Sequence, residues 1–154
     1  MLVISIANRF RKEIDLSRLE SFAREVCKTC GLEGEQKVYL RISTDKVIAK
    51  YNKAYLGNPE PTDVLSFENA YQDPEDGAYV LGDILISIER AAVQAEAGKH
   101  SLQEELEMLL VHGLLHLCGY DHADPMGLRE MAKRQDQILK SMGNPVLKSI
   151  HVQQ

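Results

Sequence analysis

Several signals that would place a protein quickly are missing from this chain. No apolar run approaches the roughly 20 residues needed to cross a bilayer, so no membrane span is expected and the protein should be soluble. The apolar start, MLVISIANRF, has no basic region ahead of it and no small-residue cleavage site behind it. It therefore reads as a strand and not a signal peptide, and the expected location is the cytoplasm. Cysteine is scarce: three residues, an odd number, give no disulfide framework and suit a reducing compartment. Two of them form a C-x-x-C, Cys27 to Cys30, but at the end of an expected helix, where the helix dipole does not favour a thiolate. There is no internal repeat, no low-complexity tract and no linker rich in Gly, Pro or Ser. One domain over residues 1–154 is the economical reading, with a loose tail from about residue 144.

What is present begins with an uneven charge distribution. The net charge is −5, yet residues 1–55 hold 11 Lys/Arg against 7 Asp/Glu, and residues 56–154 hold 7 against 16. A local basic surface survives the acidic total, so contacts to an anionic partner would be local and long-range attraction modest.

The periodicities alternate between strand and helix. Leu2 to Ile6 and Lys37 to Ser43 read as strands. Between them Ser17 and Glu20 form a capping-box pattern for a helix carrying Leu19, Phe22, Ala23 and Val26 and ending at Gly31. A helix from Asp45 to Leu56 is closed by Gly57. Asp63 to Phe67 and Leu81 to Ile88 read as a hairpin around a long acidic loop, ENAYQDPEDGAY. A helix over Glu89 to Ala97 ends at Gly98, and Ser101 with Glu104 caps the most apolar helix, LQEELEMLLVHGLLHLC. Asp124-Pro125 opens a final helix to about Met142. The expected fold class is α+β: a mixed β-sheet of about four strands with helices packed on it and a metal-binding central helix.

The chemistry sits at the end of that central helix, in HGLLHLCGYDH. His112 and His116, at i and i+4, share one helical face and can reach one ion. Gly119 then breaks the helix in a left-handed turn, after which His122 can fold back. Three imidazoles with an open fourth position form the pattern of a catalytic zinc, where the ion activates water or polarises an oxygen; structural sites are closed by four protein ligands. Cys118 points to another side of the helix and reads as core, while His100 and His151 read as exposed residues without a role. Asp121 is the nearest acid, either a hydrogen-bond partner of a ligand imidazole or the general base.

The residue after His112 is Gly113, where H-E-x-x-H peptidases carry a glutamate that takes the proton of water and delivers it to the leaving amine. Glycine cannot do this. A phosphodiester of RNA has its own 2′-hydroxyl as a nucleophile and needs charge neutralised at phosphorus, so the missing glutamate shifts weight from peptide to phosphate chemistry.

At these residues the sequence resembles the YbeY endoribonuclease family, whose signature H-G-x-L-H-L-x-G-Y-D-H is matched by residues 112–122 at every fixed position. Pro61-Thr62-Asp63-Val64-Leu65-Ser66-Phe67 and Leu81-Gly82-Asp83-Ile84 are similar to two further blocks of that family. The resemblance implies one zinc ion per chain on His112, His116 and His122, and single-strand-specific RNA cleavage. It also implies action on ribosomal RNA, in maturing the 3′ end of the small-subunit (16S) RNA, and a part in ribosome quality control. The implied partners are single-stranded RNA, ribosomal RNA and small ribosomal subunit proteins, with no membrane and no DNA. The family usually carries an arginine in a Y-R-G context; here the stretch is Tyr55-Leu56-Gly57. Arg41, Lys50 and Lys53 are the candidate replacements, Arg41 as a catalytic cation and Lys53 as a substrate contact. Thr62 and Ser66 can hydrogen-bond phosphate, or Thr62 with Asp63 organises the loop backbone. Two other readings stay open: a non-catalytic, metal-stabilised ribosome-binding factor, and a zinc peptidase.

Overall fold

The protein is described from a computed structural model over residues 1–57, 62–120 and 125–146. Its elements in chain order are β1 (Leu2–Ile6), α1 (Asn8–Arg11), α2 (Leu16–Thr29), β2 (Gln36–Ser43), α3 (Asp45–Leu56), β3 (Val64–Gln72), β4 (Tyr79–Ser87), α4 (Ile88–Gly98), α5 (Leu102–Leu117) and α6 (Pro125–Ser141). The sheet has the order β1-β2-β4-β3; β1, β2 and β4 run parallel and β3 returns antiparallel along β4. This is the expected single-domain α+β architecture with a four-stranded mixed sheet.

Strand alternation divides the sheet into two faces. Val38, Leu40, Ile42, Ile84 and Ile86 are buried in the main core with α2, α5 and α6. On the opposite face Leu65 and Leu85 pack with Ile48 of α3 in a smaller cluster. The central helix α5 is buried nearly all round, from Glu105 to Leu115 and again at Leu117. Its polar Glu107 is reconciled with burial by accepting from Arg18 Nε at 2.6 Å, Gln103 Nε2 at 3.0 Å and Asn144 Nδ2 at 2.9 Å. That last bond docks the segment expected to be loose: Asn144 and Val146 are both buried, so the chain stays packed through Val146.

Other local expectations shift for physical reasons. The cap of α2 is Asp15, whose carboxylate accepts from Arg18 N; Ser17 lies inside the helix, and Glu20 instead accepts from Leu2 N at 3.0 Å. A charged carboxylate against the helix N-terminus outcompetes the hydroxyl two residues on. The capping box of Ser101 and Glu104 forms as read, with both reciprocal bonds present. In α4, Gly98 is still helical and the left-handed position falls on Lys99, at φ 60°. Half of the acidic insert is strand: β3 runs on to Gln72 and β4 begins at Tyr79, leaving residues 73–78 as the turn, held by Lys37 Nζ at 2.9 Å from Asp73 and 2.7 Å from Asp76. The short α1 was not foreseen; it has no buried residue and so leaves no apolar periodicity.

Candidate active site

His112 and His116 stand where α5 crosses β3. Their rings are 4.9 Å apart between centroids and inclined by 79°, as one turn of helix dictates. Both line a cavity of about 420 Å³ together with Asn52 and Leu56 of α3, Thr62, Val64, Leu65, Ser66 and Glu68 around β3, and Leu117.

His112 is buried, and its Nδ1 lies 2.9 Å from Gln135 Oε1 of α6. An amide oxygen only accepts, so this bond makes Nδ1 the protonated nitrogen and leaves the lone pair on Nε2. An imidazole fixed in this tautomer by a partner behind it is the usual arrangement of a metal ligand. The two imidazoles and their backing fit a zinc ion in donor chemistry. Among the described residues no three metal-ligating side chains converge; His122, the expected third ligand, and Asp121 lie outside the described residues.

Gly113 is the contact point between helix and sheet. Ser66 donates its hydroxyl to Gly113 O at 3.2 Å. A Cβ built at Gly113 would stand 3.0 Å from Ser66 Oγ and 3.2 Å from two carbons of Ile84. The position that carries the general base in peptidases is therefore turned into the sheet, where even a Cβ is tight against Ser66 and Ile84.

The expected substrate residues separate. Thr62 and Ser66 line the cavity with the histidines. Lys53 is exposed on α3 beside Asn52 and outside the lining, and Lys50 is likewise exposed. Arg41 opens on the other face of the sheet, where it donates to Tyr51 OH at 2.9 Å in a groove shared with Tyr39, Tyr55, Phe67 and Asp83. The structure does not bring Arg41 to the histidines, because alternation along β2 directs it away from its buried neighbours Leu40 and Ile42. Leu56, by contrast, stands in the cavity lining at the place where the family arginine is expected, and no Lys or Arg among the described residues lines that cavity.

Two participants were not anticipated. Gln135 is a polar residue at a core position of α6, in step with Met131, Ile138 and Leu139, and that misplaced polarity was the available signal. Glu68 lines the cavity from the part of β3 that read as loop. His100, expected to be exposed, is buried at its side chain and pairs through Nε2 with Glu105 Oε1 of α5. His151 lies outside the described residues.

Comparison with known proteins follows the same lines. The protein TM1509 of Thermotoga maritima, whose structure was solved in solution, matches with a TM-score of 0.64 and 25% identity over 94% of each chain. The α+β domain with its mixed sheet is thus a shared fold. The family model described as Endoribonuclease YbeY matches residues 5–143. Proteins named endoribonuclease YbeY are similar throughout: that of Moorella thermoacetica is 43% identical over 83% of this chain and 86% of its own length. That of a Nocardioides species is 36% identical over 88% and 95%. The chain belongs to the YbeY endoribonuclease family.

Proposed function

We propose that the protein is a zinc-dependent endoribonuclease that cuts single-stranded RNA, acts in the cytoplasm on ribosomal RNA at the 3′ end of the small-subunit (16S) RNA, and serves ribosome quality control. The observation that carries the reading is the pairing of His112 and His116 in a cavity that Thr62, Ser66 and Glu68 also line, with Gly113 closed against the sheet. That arrangement supports hydrolysis needing no glutamate at this position, which disfavours the peptidase alternative. No helix among the described residues is long and apolar enough to cross a membrane, in keeping with a soluble RNA partner.

In this reading His112, His116 and His122 hold the ion, which when bound polarises a phosphoryl oxygen or water. Gln135 keeps His112 in the ligand tautomer. Thr62 offers a hydroxyl to the phosphate, while the Ser66 hydroxyl in this structure secures the backbone under the histidine pair. Asp121 serves as general base or as a partner of a ligand imidazole. Lys53 is the expected cation on the helix that also sends Asn52 and Leu56 to the cavity.

One observation favours a second reading. With Leu56 in the lining and no described cation there, the protein would suit a metal-stabilised ribosome-binding factor that does not cut. Cleavage of end-labelled single-stranded RNA by zinc-loaded protein, beside His116→Ala prepared identically, separates the two. Cutting by wild type alone upholds the nuclease. A metal-replete wild type as inert as the variant, yet still retaining small-subunit proteins, upholds the binding factor.

A further inference from the structure

The sheet face opposite the main core is only partly covered by α3, through Ile48 on Leu65 and Leu85. Strand register sets two rows of side chains on it. Val3, Tyr39, Asp83 and Phe67 stand opposite one another across all four strands, and Ser5, Arg41 and Leu85 lie in the next row. With Tyr51 and Tyr55 of α3 they line a groove of about 580 Å³. Tyr51 and Tyr55 are stacked, 5.9 Å between centroids and 11° apart in plane, and Tyr55 leans on Phe67 at 5.4 Å. Tyr55 is nevertheless 67% exposed, so the stack offers an open aromatic face.

Two charged groups of the groove are short of partners. Asp83 is half-buried, and among the described residues it takes part in no hydrogen bond or ion pair; burial by itself raises its carboxyl above 3.8. Arg41 gives one N–H to Tyr51 OH at 2.9 Å and pairs with no carboxylate among the described residues, which leaves further guanidinium donors.

The groove adjoins the histidine cavity around the edge strand β3. Ser66 lines the cavity and Phe67 the groove, Glu68 lines both, and at the end of α3 Leu56 belongs to the cavity and Tyr55 to the groove. A flexible polymer lying over this edge reaches both. Given the RNA-cleaving function of the histidine site, on which this assignment depends, we propose that the groove holds a guanine base of the single-stranded RNA substrate, stacked on Tyr55 and hydrogen-bonded to Asp83.

The base follows from the chemistry of the acceptor. An ionised carboxylate only accepts, through two oxygens side by side. Guanine presents two N–H donors side by side on its Watson–Crick edge, from N1 and the 2-amino group, and so pairs in the bidentate way. Adenine and cytosine set a ring-nitrogen lone pair beside the amino group, and uracil flanks its single N–H with carbonyls; each turns a lone pair toward the carboxylate. The arginine fork of a protein partner has similar donors. Arg41 in the next row opposes that incoming cation, whereas its charge suits the phosphate of a nucleotide.

Binding of fluorescein-labelled decamers of 2′-O-methyluridine, which lack the 2′-hydroxyl nucleophile, tests the groove apart from cleavage. One central G should tighten binding about tenfold over the all-uridine decamer, and one central A or C should not. Asp83→Asn should abolish the gain, and Tyr55→Ala should weaken every decamer roughly tenfold through lost stacking. Inosine in place of G lacks the 2-amino group and should also lose the gain, which tests the same bond should Asp83→Asn fail to fold. On unmodified RNA the cut should stay a fixed number of nucleotides from the G when the G is moved. Equal affinity for all decamers, or a G preference that survives Asp83→Asn and inosine, would overturn the proposal. So would Asp83-dependent capture of an arginine-rich peptide with no preference for G. Cleavage without G preference removes the base site and leaves the nuclease; G-selective, Asp83-dependent binding without cleavage keeps the base site and removes the nuclease.

Discussion

Ser66, on the edge strand β3, places its hydroxyl 3.2 Å from the carbonyl oxygen of Gly113, and so locks the histidine-bearing turn of α5 to the sheet. The contact exists because residue 113 has no side chain. Gly113→Ala should cost about 1 kcal/mol: roughly 1–3 kcal/mol of overpacking against Ile84 and Ser66, offset by about 1 kcal/mol of helix propensity. Gly113→Glu should be far worse, at about 4 kcal/mol or more, since a carboxylate is forced into a packed interface. Urea unfolding checks both. A stable Gly113→Glu protein that hydrolyses peptides would contradict the site described here.

Gln135 holds His112 from behind. Gln135→Leu removes that acceptor from a buried imidazole and should weaken zinc affinity by roughly 10- to 100-fold. Competition with a chromophoric chelator measures this. An unchanged affinity would mean that His112 is not a ligand or that its tautomer is held by other means.

Leu56 is 61% exposed and lines the cavity, so an arginine there should fold with a cost of no more than about 0.5 kcal/mol. The added charge and donors should raise cleavage of single-stranded RNA by about tenfold, corresponding to about 1.4 kcal/mol of transition-state stabilisation. It should also steepen the salt dependence of RNA binding by about one phosphate contact. Kinetics of Leu56→Arg at several salt concentrations provide the test, and no gain in rate would argue that the site already has its cation.

The β3–β4 turn predicts an acid response. Hydrogen bonds to Lys37 hold the carboxyls of Asp73 and Asp76 below their ordinary value of 3.8. Their stabilising effect is therefore complete above that value and is lost as pH falls through the lowered folded values. Lys37→Met should destabilise the protein near neutral pH, and its deficit relative to wild type should shrink as both carboxyls protonate. Denaturant midpoints followed from neutral to acidic pH would show the two curves converging; parallel curves would remove the turn as the cause.

Much of the architecture was readable because it rests on local rules. Alternation placed β1 and β2, helical spacing placed α3 and α5, and Ser101 with Glu104 marked the start of α5. The pairing of His112 with His116 needed only the pitch of a helix. Tertiary structure decided what depends on neighbours distant in sequence. Gln135 meets His112 across 23 residues because α6 folds back on α5. Arg41 and the histidines part company because alternate residues of β2 face opposite sides of a sheet that separates them. Gly113 looked like a missing base and proved to be a packing contact. Periodicity states which side of an element is apolar; which other element covers that side, and what it brings along, follows from long-range packing alone.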